Sequence, residues 1–246
     1  MKKKEVELSA RMRALTRLVT KGRIVCDIGC DHGFVSIYLV QKGISPKVFA
    51  MDVRSGPLSQ AQNHIEQYGL TDQIETRLSD GLAKLAAGEA QCMICAGMGG
   101  PLMIKILEEG RVQAGAMKEL ILQPQSEIEE FRVYLRTKGY RIIEEDMIFE
   151  DGKYYPMMKV IPVLEDTDAS FHDSEISSKE QELFDRFGYY LLVNKNPVLK
   201  QYLDHWEQVT ENLIRNLQEQ SGERALGRLP KLQQELDQIR AAKQYF

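Results

Sequence analysis

The sequence contains no apolar run close to the ~20 residues that a membrane-spanning helix requires. Its amino terminus, MKKKEVELSARMR, has no apolar core of the kind found in secretory signals, so we expect a cytoplasmic protein. Positive charge is not in excess, since 32 Lys and Arg stand against 36 Asp and Glu. This balance excludes a uniformly basic nucleic-acid-binding chain but leaves room for a local basic patch.

Cysteine is also scarce, and its spacing does not indicate a metal site. The chain has four cysteines, of which Cys92 and Cys95 form a C-x-x-C. They lie in QCMICAGM, which reads as a buried strand, and side chains alternate faces along a strand. The pair therefore cannot chelate one ion, and we predict no metal; unpaired cysteines suit a reducing compartment.

Strand and helix patterns alternate from residue 23 to about 163. The predicted strands are 23–28, 47–53, 74–79, 91–98, 119–123, 140–149 and 154–163, and the helices between them are 34–42, 57–68, 100–109 and 126–138. Such alternation favours a mostly parallel seven-stranded sheet covered on both faces. Only EDGK separates the last two strands, so we expect them to pair as an antiparallel hairpin.

The composition changes after the last strand. Residues 144–185 hold thirteen acids and three lysines, and LEDTDASFHDSE (164–175) within them reads as a linker. Helical patterns follow at about 175–193, 197–220 and 228–242, with breaks at NKNP and SGERALG. We predict a sheet domain at 1–165 and a coiled-coil-like helical subdomain at 166–246. A helix face recurs at spacings of three and four, formed by Leu199, Leu203, Trp206, Val209, Leu213 and Leu217.

The segment CDIGCDHG (26–33) joins the first strand to the first helix of the sheet pattern. It lacks the G-x-G-x-x-G of a dinucleotide site, and Asp31 stands where the middle glycine belongs. No G-K-[ST] follows, which excludes a P-loop. An acid would repel phosphates, so a cationic ligand without phosphate remains, and S-adenosylmethionine has that chemistry. Asp27 or Asp31 would accept from its amine and turn amides would meet its carboxylate, although an ordinary capped Gly-rich turn fits the same residues.

Further acids end the next two strands. Asp52 is placed to bind two ribose hydroxyls, and Asp80 follows the third strand, where it can accept from an adenine amine. CAGMGG closes the fourth strand without the acid, proline pair and aromatic typical of amino-methyltransferases; its glycines and Met98 would form a flat floor, or simply a tight turn. Ligands bind at this edge of open α/β sheets.

Together these segments resemble the TrmK family, the bacterial tRNA (adenine-22-N1)-methyltransferases. The resemblance rests on VCDIGCDHGFVSIYLV, AMDVRSGPLSQAQNHI, LSDGL, CAGMGG and LILQPQSEIEEFRVYL, and it extends through FEDGKYYPMMKV and FGYYLLVNKNPVLKQYL. It implies a class I, Rossmann-like methyltransferase fold, S-adenosylmethionine as donor and adenine N1 in the D-arm region of tRNA as acceptor. A monomer is expected. The predicted cofactor-binding residues are Asp27, Gly29, Cys30, Asp31, Gly33, Asp52, Val53, Asp80, Gly81, Gly97 and Met98.

N1 lies on the pairing edge of adenine, so the base must leave its partner to react. Asp31 is the first candidate for a general base and His32 the second, although both also fit a purely structural or cofactor-binding role. Residues 1–25 hold eight Lys and Arg against two Glu. Arg11, Arg13 and Arg17 within them are candidate RNA contacts, or else a solvated helix face.

Two other functions remain open from the residues alone. The enzyme could methylate another RNA base or a protein, or the chain could be a non-catalytic, cofactor-bound scaffold whose helical tail binds a partner. Radiolabelled methyl transfer to tRNA or to protein separates all three.

Overall fold

The computed structural model describes residues 5–163, 176–219 and 227–246. The chain divides into two compact units, Met1–Phe171 and His172–Phe246. The boundary predicted between residues 165 and 166 and the predicted linker 164–175 lie outside the described residues. The SGERALG break also lies outside them, apart from its last residue.

The first unit is built from seven strands and six helices among its described residues. They run in the order α1 Ala10–Arg17, β1 Val25–Ile28, α2 Phe34–Gln41, β2 Val48–Asp52, α3 Ser55–Gln67, β3 Ile74–Leu78, β4 Cys92–Met98, α4 Gly100–Glu109, α5 Arg111–Gly115, β5 Glu119–Pro124, α6 Ile128–Thr137, β6 Tyr140–Glu150 and β7 Lys153–Pro162. All seven predicted strands are confirmed, and the short helix α5 was not predicted.

The sheet has the order β3-β2-β1-β4-β5-β7-β6. The first five strands pair in parallel, and β7 pairs antiparallel with both β5 and β6. The antiparallel hairpin predicted from EDGK is therefore confirmed. Met158 of β7 lies opposite Leu122 near the end of β5, so the hairpin tip extends past the carboxyl end of β5.

Each face of the sheet carries its own apolar core. Helices α1, α2 and α3 contribute Leu15, Ile37 and Ile65 to one core, and α4 and α6 contribute Met103 and Phe131 to the other. Strand residues buried on both faces explain why the parallel strands read as continuous apolar runs. The arrangement leaves the carboxyl ends of β1 to β4 free of a covering strand, and the candidate site lies there.

The second unit contains α7 Ser178–Phe187, α8 Tyr189–Val193, α9 Pro197–Glu219 and α10 Leu229–Lys243. The helix predicted at 175–193 is interrupted at Gly188, which has a φ of 93°. Helices α9 and α10 form an antiparallel pair, because Lys243 pairs with Asp204 and Arg240 pairs with Glu211. The helical character predicted for the C-terminal subdomain is thus confirmed among its described residues.

The predicted apolar face of α9 is correct only in part. Leu199, Leu203 and Leu217 are buried, whereas Trp206 is 41% and Val209 37% exposed. Helix α10 packs along the side of α9 that carries the acids paired with Arg240 and Lys243. The contact surface between the two helices therefore leaves Trp206 and Val209 partly exposed and includes Thr210, which is buried.

Candidate active site

The turn between β1 and α2 is held tightly against the end of β2. Gly29 and Gly33 have φ values of 72° and 76°, and Asp31 adopts a left-handed φ of 50°. The amides of Gly29 and Cys30 both donate to the carbonyl of Met51, at 2.8 and 3.0 Å. The strand-to-helix turn predicted from the two glycines is therefore present.

Hydrogen bonds inside the protein use most amides of this turn. Besides those of Gly29 and Cys30, the Asp31 amide donates to Asp52 Oδ2 at 3.3 Å and the Gly33 amide to the Cys30 carbonyl at 2.8 Å. These four amides are unavailable to a ligand carboxylate. The expectation that the turn amides would bind the carboxylate of S-adenosylmethionine is therefore not met by these four. The first turn of α2 follows directly in the chain, and its residues Phe34 and Val35 line the cavity beside the turn.

Asp27 lies below the turn at the centre of the sheet. It is 4% exposed, and its Oδ2 accepts a hydrogen bond from Ser36 Oγ at 2.7 Å. Burial raises the pKa of Asp27 to about 6, opposed by the Ser36 hydrogen bond and reinforced by the charge of Asp52. Asp27 therefore changes its charge just below neutral pH.

Asp52 ends β2, as predicted, and connects β2 to the turn of β1. Its Oδ1 accepts from the Arg54 amide at 2.8 Å, while its Oδ2 accepts from Asp31. The side chain is only 4% exposed. Val53, the next residue, is 59% exposed, so an apolar side chain stands open beside a buried carboxylate.

The loop after β3 carries Asp80 and Gly81. Asp80 is exposed, and the preceding Ser79 amide donates to the Asp52 carbonyl at 2.9 Å. Gly81 has a φ of 51°, and a Cβ there would lie 3.2 Å from Ile106 of α4. The three predicted acids thus end three neighbouring strands at one edge of the sheet.

AGMGG closes against the loop that follows β5. The Met98 carbonyl accepts from the Gln125 amide at 2.9 Å, and the Gly100 amide donates to the Ser126 carbonyl at 3.0 Å. The side chain of Met98 covers Gly29 closely enough that a Cβ on Gly29 would collide with its methyl group. Gly97 is exposed with a φ of 79°.

A cavity of about 240 Å³ lies beside the turn. It is lined on one side by Asp27 and by residues 28–32, and on the other by Glu7, Leu8, Ser9 and Met12. A drug-sized ligand needs roughly 300–1,000 Å³. The cavity therefore accommodates part of a ligand such as S-adenosylmethionine, and the rest would extend along the edge.

Several predicted cofactor residues lie outside this cavity. Of the predicted set, Asp27, Gly29, Cys30 and Asp31 line it, whereas Gly33, Asp52, Val53, Asp80, Gly81, Gly97 and Met98 are not part of its lining. Gly33 is buried against α3, where a Cβ would lie 3.0 Å from that of Ala61. Its role in the fold is close packing of two helices.

Asp31 and His32 project from the top of the turn. Their side chains are 61% and 49% exposed, with His32 Nε2 3.6 Å from Asp31 Oδ2. The His32 carbonyl accepts from His64 Nδ1 at 3.0 Å, and the His64 ring stacks on Phe34 with centroids 4.6 Å apart. His64 was not among the predicted site residues; it lies on α3 within the segment AMDVRSGPLSQAQNHI, where its spacing alone does not mark it as functional.

The three predicted RNA-binding arginines differ in their surroundings. Arg11 Nη1 donates to Gln123 Oε1 at 3.1 Å, and its guanidinium lies 4.7 Å from the centre of the Tyr155 ring. Arg17 is 3.7 Å from Asp146, with 64% of its side chain exposed, and Arg13 is exposed. Only Arg13 and Arg17 therefore present their charge largely to solvent.

All four cysteines are buried and unbridged. Cys92 and Cys95 belong to opposite cores, which confirms that they point to different faces of the sheet. Burial raises the pKa of the Cys30 thiol, so this cavity-lining side chain stays neutral. Within residues 5–163, 176–219 and 227–246, no group of three or more His, Cys, Asp or Glu is arranged to hold a metal.

No helix among the described residues is long and apolar enough to cross a membrane.

Comparison with known proteins places this geometry in a family. Residues 8–158 match the family described as "Methyltransferase domain". The tRNA (adenine(22)-N(1))-methyltransferase of Bacillus subtilis is 31% identical over 204 residues, which are 83% of this chain and 82% of the relative.

Solved structures agree. The crystal structure of the B. subtilis m1A22 tRNA methyltransferase TrmK is 28% identical, with a TM-score of 0.80 and coverage of 97% of this chain and 99% of the other. Sp1610 of Streptococcus pneumoniae, a putative tRNA (m1A22) methyltransferase in complex with S-adenosyl-L-methionine, is 28% identical, with a TM-score of 0.77 and coverage of 96% and 99%. The chain, with its Gly-rich turn and its acids at successive strand ends, belongs to the TrmK family of class I methyltransferases.

Proposed function

We propose that this protein transfers the methyl group of S-adenosylmethionine to N1 of adenine 22 in tRNA. One observation carries the proposal: Asp27, Asp52 and Asp80 end neighbouring parallel strands at one sheet edge, beside a glycine turn and a cavity. The B. subtilis relative bears the name of this activity, and the S. pneumoniae relative was solved with this cofactor. A tRNA substrate suits the expected cytoplasmic location; the expected monomer stays a prediction.

The residues fit the proposed cofactor. Asp27 accepts from both the hydroxyl and the backbone amide of Ser36, and it lines the cavity. A further lone pair of the ionised carboxylate would accept from the amine of the cofactor. The α2 N-terminus, rather than the turn amides, would receive the carboxylate, since helix N-termini favour anions. Asp52, with lone pairs beyond its two amide bonds, would hold the ribose hydroxyls.

The adenine would lie between exposed Val53 and the loop of Asp80 and Gly81. Both flank the carboxyl ends of β2 and β3, and neither is part of the cavity lining. Gly97 and Met98 would border the cofactor from β4. When bound, the cofactor supplies an electrophilic methyl on a sulfonium.

The acceptor base would approach Asp31 and His32. Attack by N1 leaves a positive charge on adenine until the exocyclic amine loses a proton. Asp31 is exposed at the top of the turn and would accept that proton. His32 stands beside it at 3.6 Å and is the second candidate. Holding donor and acceptor in line supplies rate without any base, so the two residues need a direct kinetic test.

Two measurements test the proposal. Nucleoside mass spectrometry of unmodified tRNA incubated with protein and S-adenosylmethionine should detect 1-methyladenosine, and an adenine-22→guanine tRNA should give none. Calorimetry should show binding of S-adenosylhomocysteine and not of NAD. Methyl transfer to another base or to protein, or cofactor binding without any transfer, would instead support the alternative enzymes or the scaffold.

A further inference from the structure

The cavity is closed on one side by a segment that belongs to no strand of the sheet. Glu7, Leu8, Ser9 and Met12 line it from the approach to α1 and from its first turn. We call residues 7–12 the amino-terminal wall. It faces the Gly29–His32 turn, from which the proposed base residues project.

Glu150, at the tip of the β6–β7 hairpin, holds this wall from outside. Its Oε1 accepts from the Arg11 amide at 3.3 Å, and it also accepts from the Ala10 amide and the Ser9 hydroxyl. Ser9 Oγ in turn accepts from the Met12 amide at 3.3 Å and so caps α1. A carboxylate at this helix N-terminus satisfies amides that have no partner within the helix.

Arg11 fastens the same wall to the sheet. Its guanidinium donates to Gln123 Oε1 at 3.1 Å and lies over the Tyr155 ring. Gln123 is 1% exposed and pairs with Ala96, which itself lines the cavity. The backbone of Arg11 thus binds the hairpin tip while its side chain binds the sheet beside the cavity.

We infer that Glu150 and Arg11 are positioning residues: through Ser9 and the first turn of α1 they set the wall against which the acceptor base is held. The inference rests on the proposed function. The wall lines the cavity, whereas Asp52 and Asp80, which are proposed to hold the adenosine, are not part of its lining. Loosening it should therefore impair placement of the acceptor base far more than cofactor binding, because the adenosine contacts proposed at Asp52 and Asp80 do not involve the wall.

Glu150→Ala should lower kcat/KM for tRNA by about 10- to 100-fold, the range expected when a reacting group loses its alignment. Glu150→Gln, which keeps an acceptor oxygen, should recover part of that loss. The affinity for S-adenosylhomocysteine should fall far less than kcat/KM in either variant. Glu144→Ala removes an exposed acid from the same strand and serves as the matched control.

Arg11→Ala should reproduce the kinetic defect of Glu150→Ala without altering the salt dependence of tRNA binding, because its guanidinium binds Gln123 and Tyr155 and is not directed at a phosphate. Amide exchange at residues 10–12 should be faster in Glu150→Ala than in wild type or Glu144→Ala. Amide exchange needs no substrate, so it tests the contacts between Glu150 and the amino-terminal wall by themselves. If the wild-type protein failed to methylate tRNA, that result would reject the proposed function and leave this test intact. Wild-type kcat/KM in folded Glu150→Ala, a parallel loss of cofactor affinity, or unchanged exchange would each overturn the inference.

Discussion

At the scale of single residues, Asp27 links the fold to ligand binding through its protonation. Burial keeps its pKa near 6, so the carboxylate is ionised only above that pH. An amine donor binds the ionised form, so the affinity for S-adenosylhomocysteine should fall as the pH drops below about 6. Calorimetry between pH 5 and 8 measures this dependence.

The Asp27→Asn variant is the control, and its affinity should be weaker at pH 8 and flat across this range. Ser36→Ala removes a hydrogen bond that lowers the Asp27 pKa, so the midpoint of the pH dependence of S-adenosylhomocysteine binding should move to higher pH. Because burial raises the pKa of Asp27, the protonated side chain stabilises the ligand-free folded protein at acid pH. This contribution to stability is lost as the pH rises through about 6. A wild-type affinity independent of pH would remove Asp27 from the amine site.

Asp31 tests whether the site uses a general base. Asp31→Ala removes an exposed carboxylate, so the single-turnover rate should fall by about 10²- to 10⁴-fold while tRNA affinity stays nearly constant. Rapid-quench assays at saturating cofactor measure the rate. Recovery of the wild-type rate at saturating cofactor would instead assign Asp31 to cofactor binding.

At the scale of elements, α1 should contact RNA through its solvent-facing charge. Arg13 and Arg17 are exposed, and reversing both to Glu should weaken tRNA binding and flatten its salt dependence by about 0.7–0.9 per lost phosphate contact. Filter binding between about 50 and 200 mM salt measures this slope.

Lys118→Glu is the matched control, since Lys118 is exposed at the amino end of β5, the edge opposite the site. If the salt dependence of tRNA binding were unchanged in the Arg13/Arg17 double reversal, these arginines would be a solvated helix face that does not contact RNA. Cofactor affinity should be unaffected in both variants.

Helix α6 is fixed to β6 by a buried ion pair. Arg132 Nε lies 3.0 Å from Glu145 Oε1, and the two side chains are 3% and 1% exposed. Arg132→Met should lower the free energy of unfolding by about 3–5 kcal/mol, because it leaves Glu145 buried without its cation. The Arg132→Met/Glu145→Met double variant should lose less free energy of unfolding than Arg132→Met alone. Urea denaturation of the two variants measures this difference, and equal losses would contradict the argument that the two side chains stabilise the fold as a pair.

At the scale of the whole molecule, the chain combines a sheet unit that holds the proposed chemistry with a helical unit that holds none of the proposed site residues. Truncation after residue 165 should leave S-adenosylhomocysteine binding largely intact but impair tRNA methylation. The measurement is calorimetry beside nucleoside mass spectrometry, with circular dichroism to verify folding. Full tRNA activity in the folded truncation would reject an RNA-positioning role for residues 166–246.

The sequence by itself determined the seven strands, the hairpin, and the position of Asp27, Asp52 and Asp80 at strand ends. These features follow from short-range patterns: buried parallel strands are continuous apolar runs, and glycines mark turns with positive φ. The segments from VCDIGCDHGFVSIYLV to FGYYLLVNKNPVLKQYL were together also sufficient to predict the family.

Only the tertiary structure decided which groups are already occupied. Arg11 looked like a free cation, yet its amide meets Glu150, 139 residues away, and its side chain meets Gln123. The amides of Gly29 and Cys30 donate to Met51, and α10 leaves Trp206 exposed on a face whose spacing predicted burial. Such partners are set by how distant segments pack, and local periodicity contains no record of them.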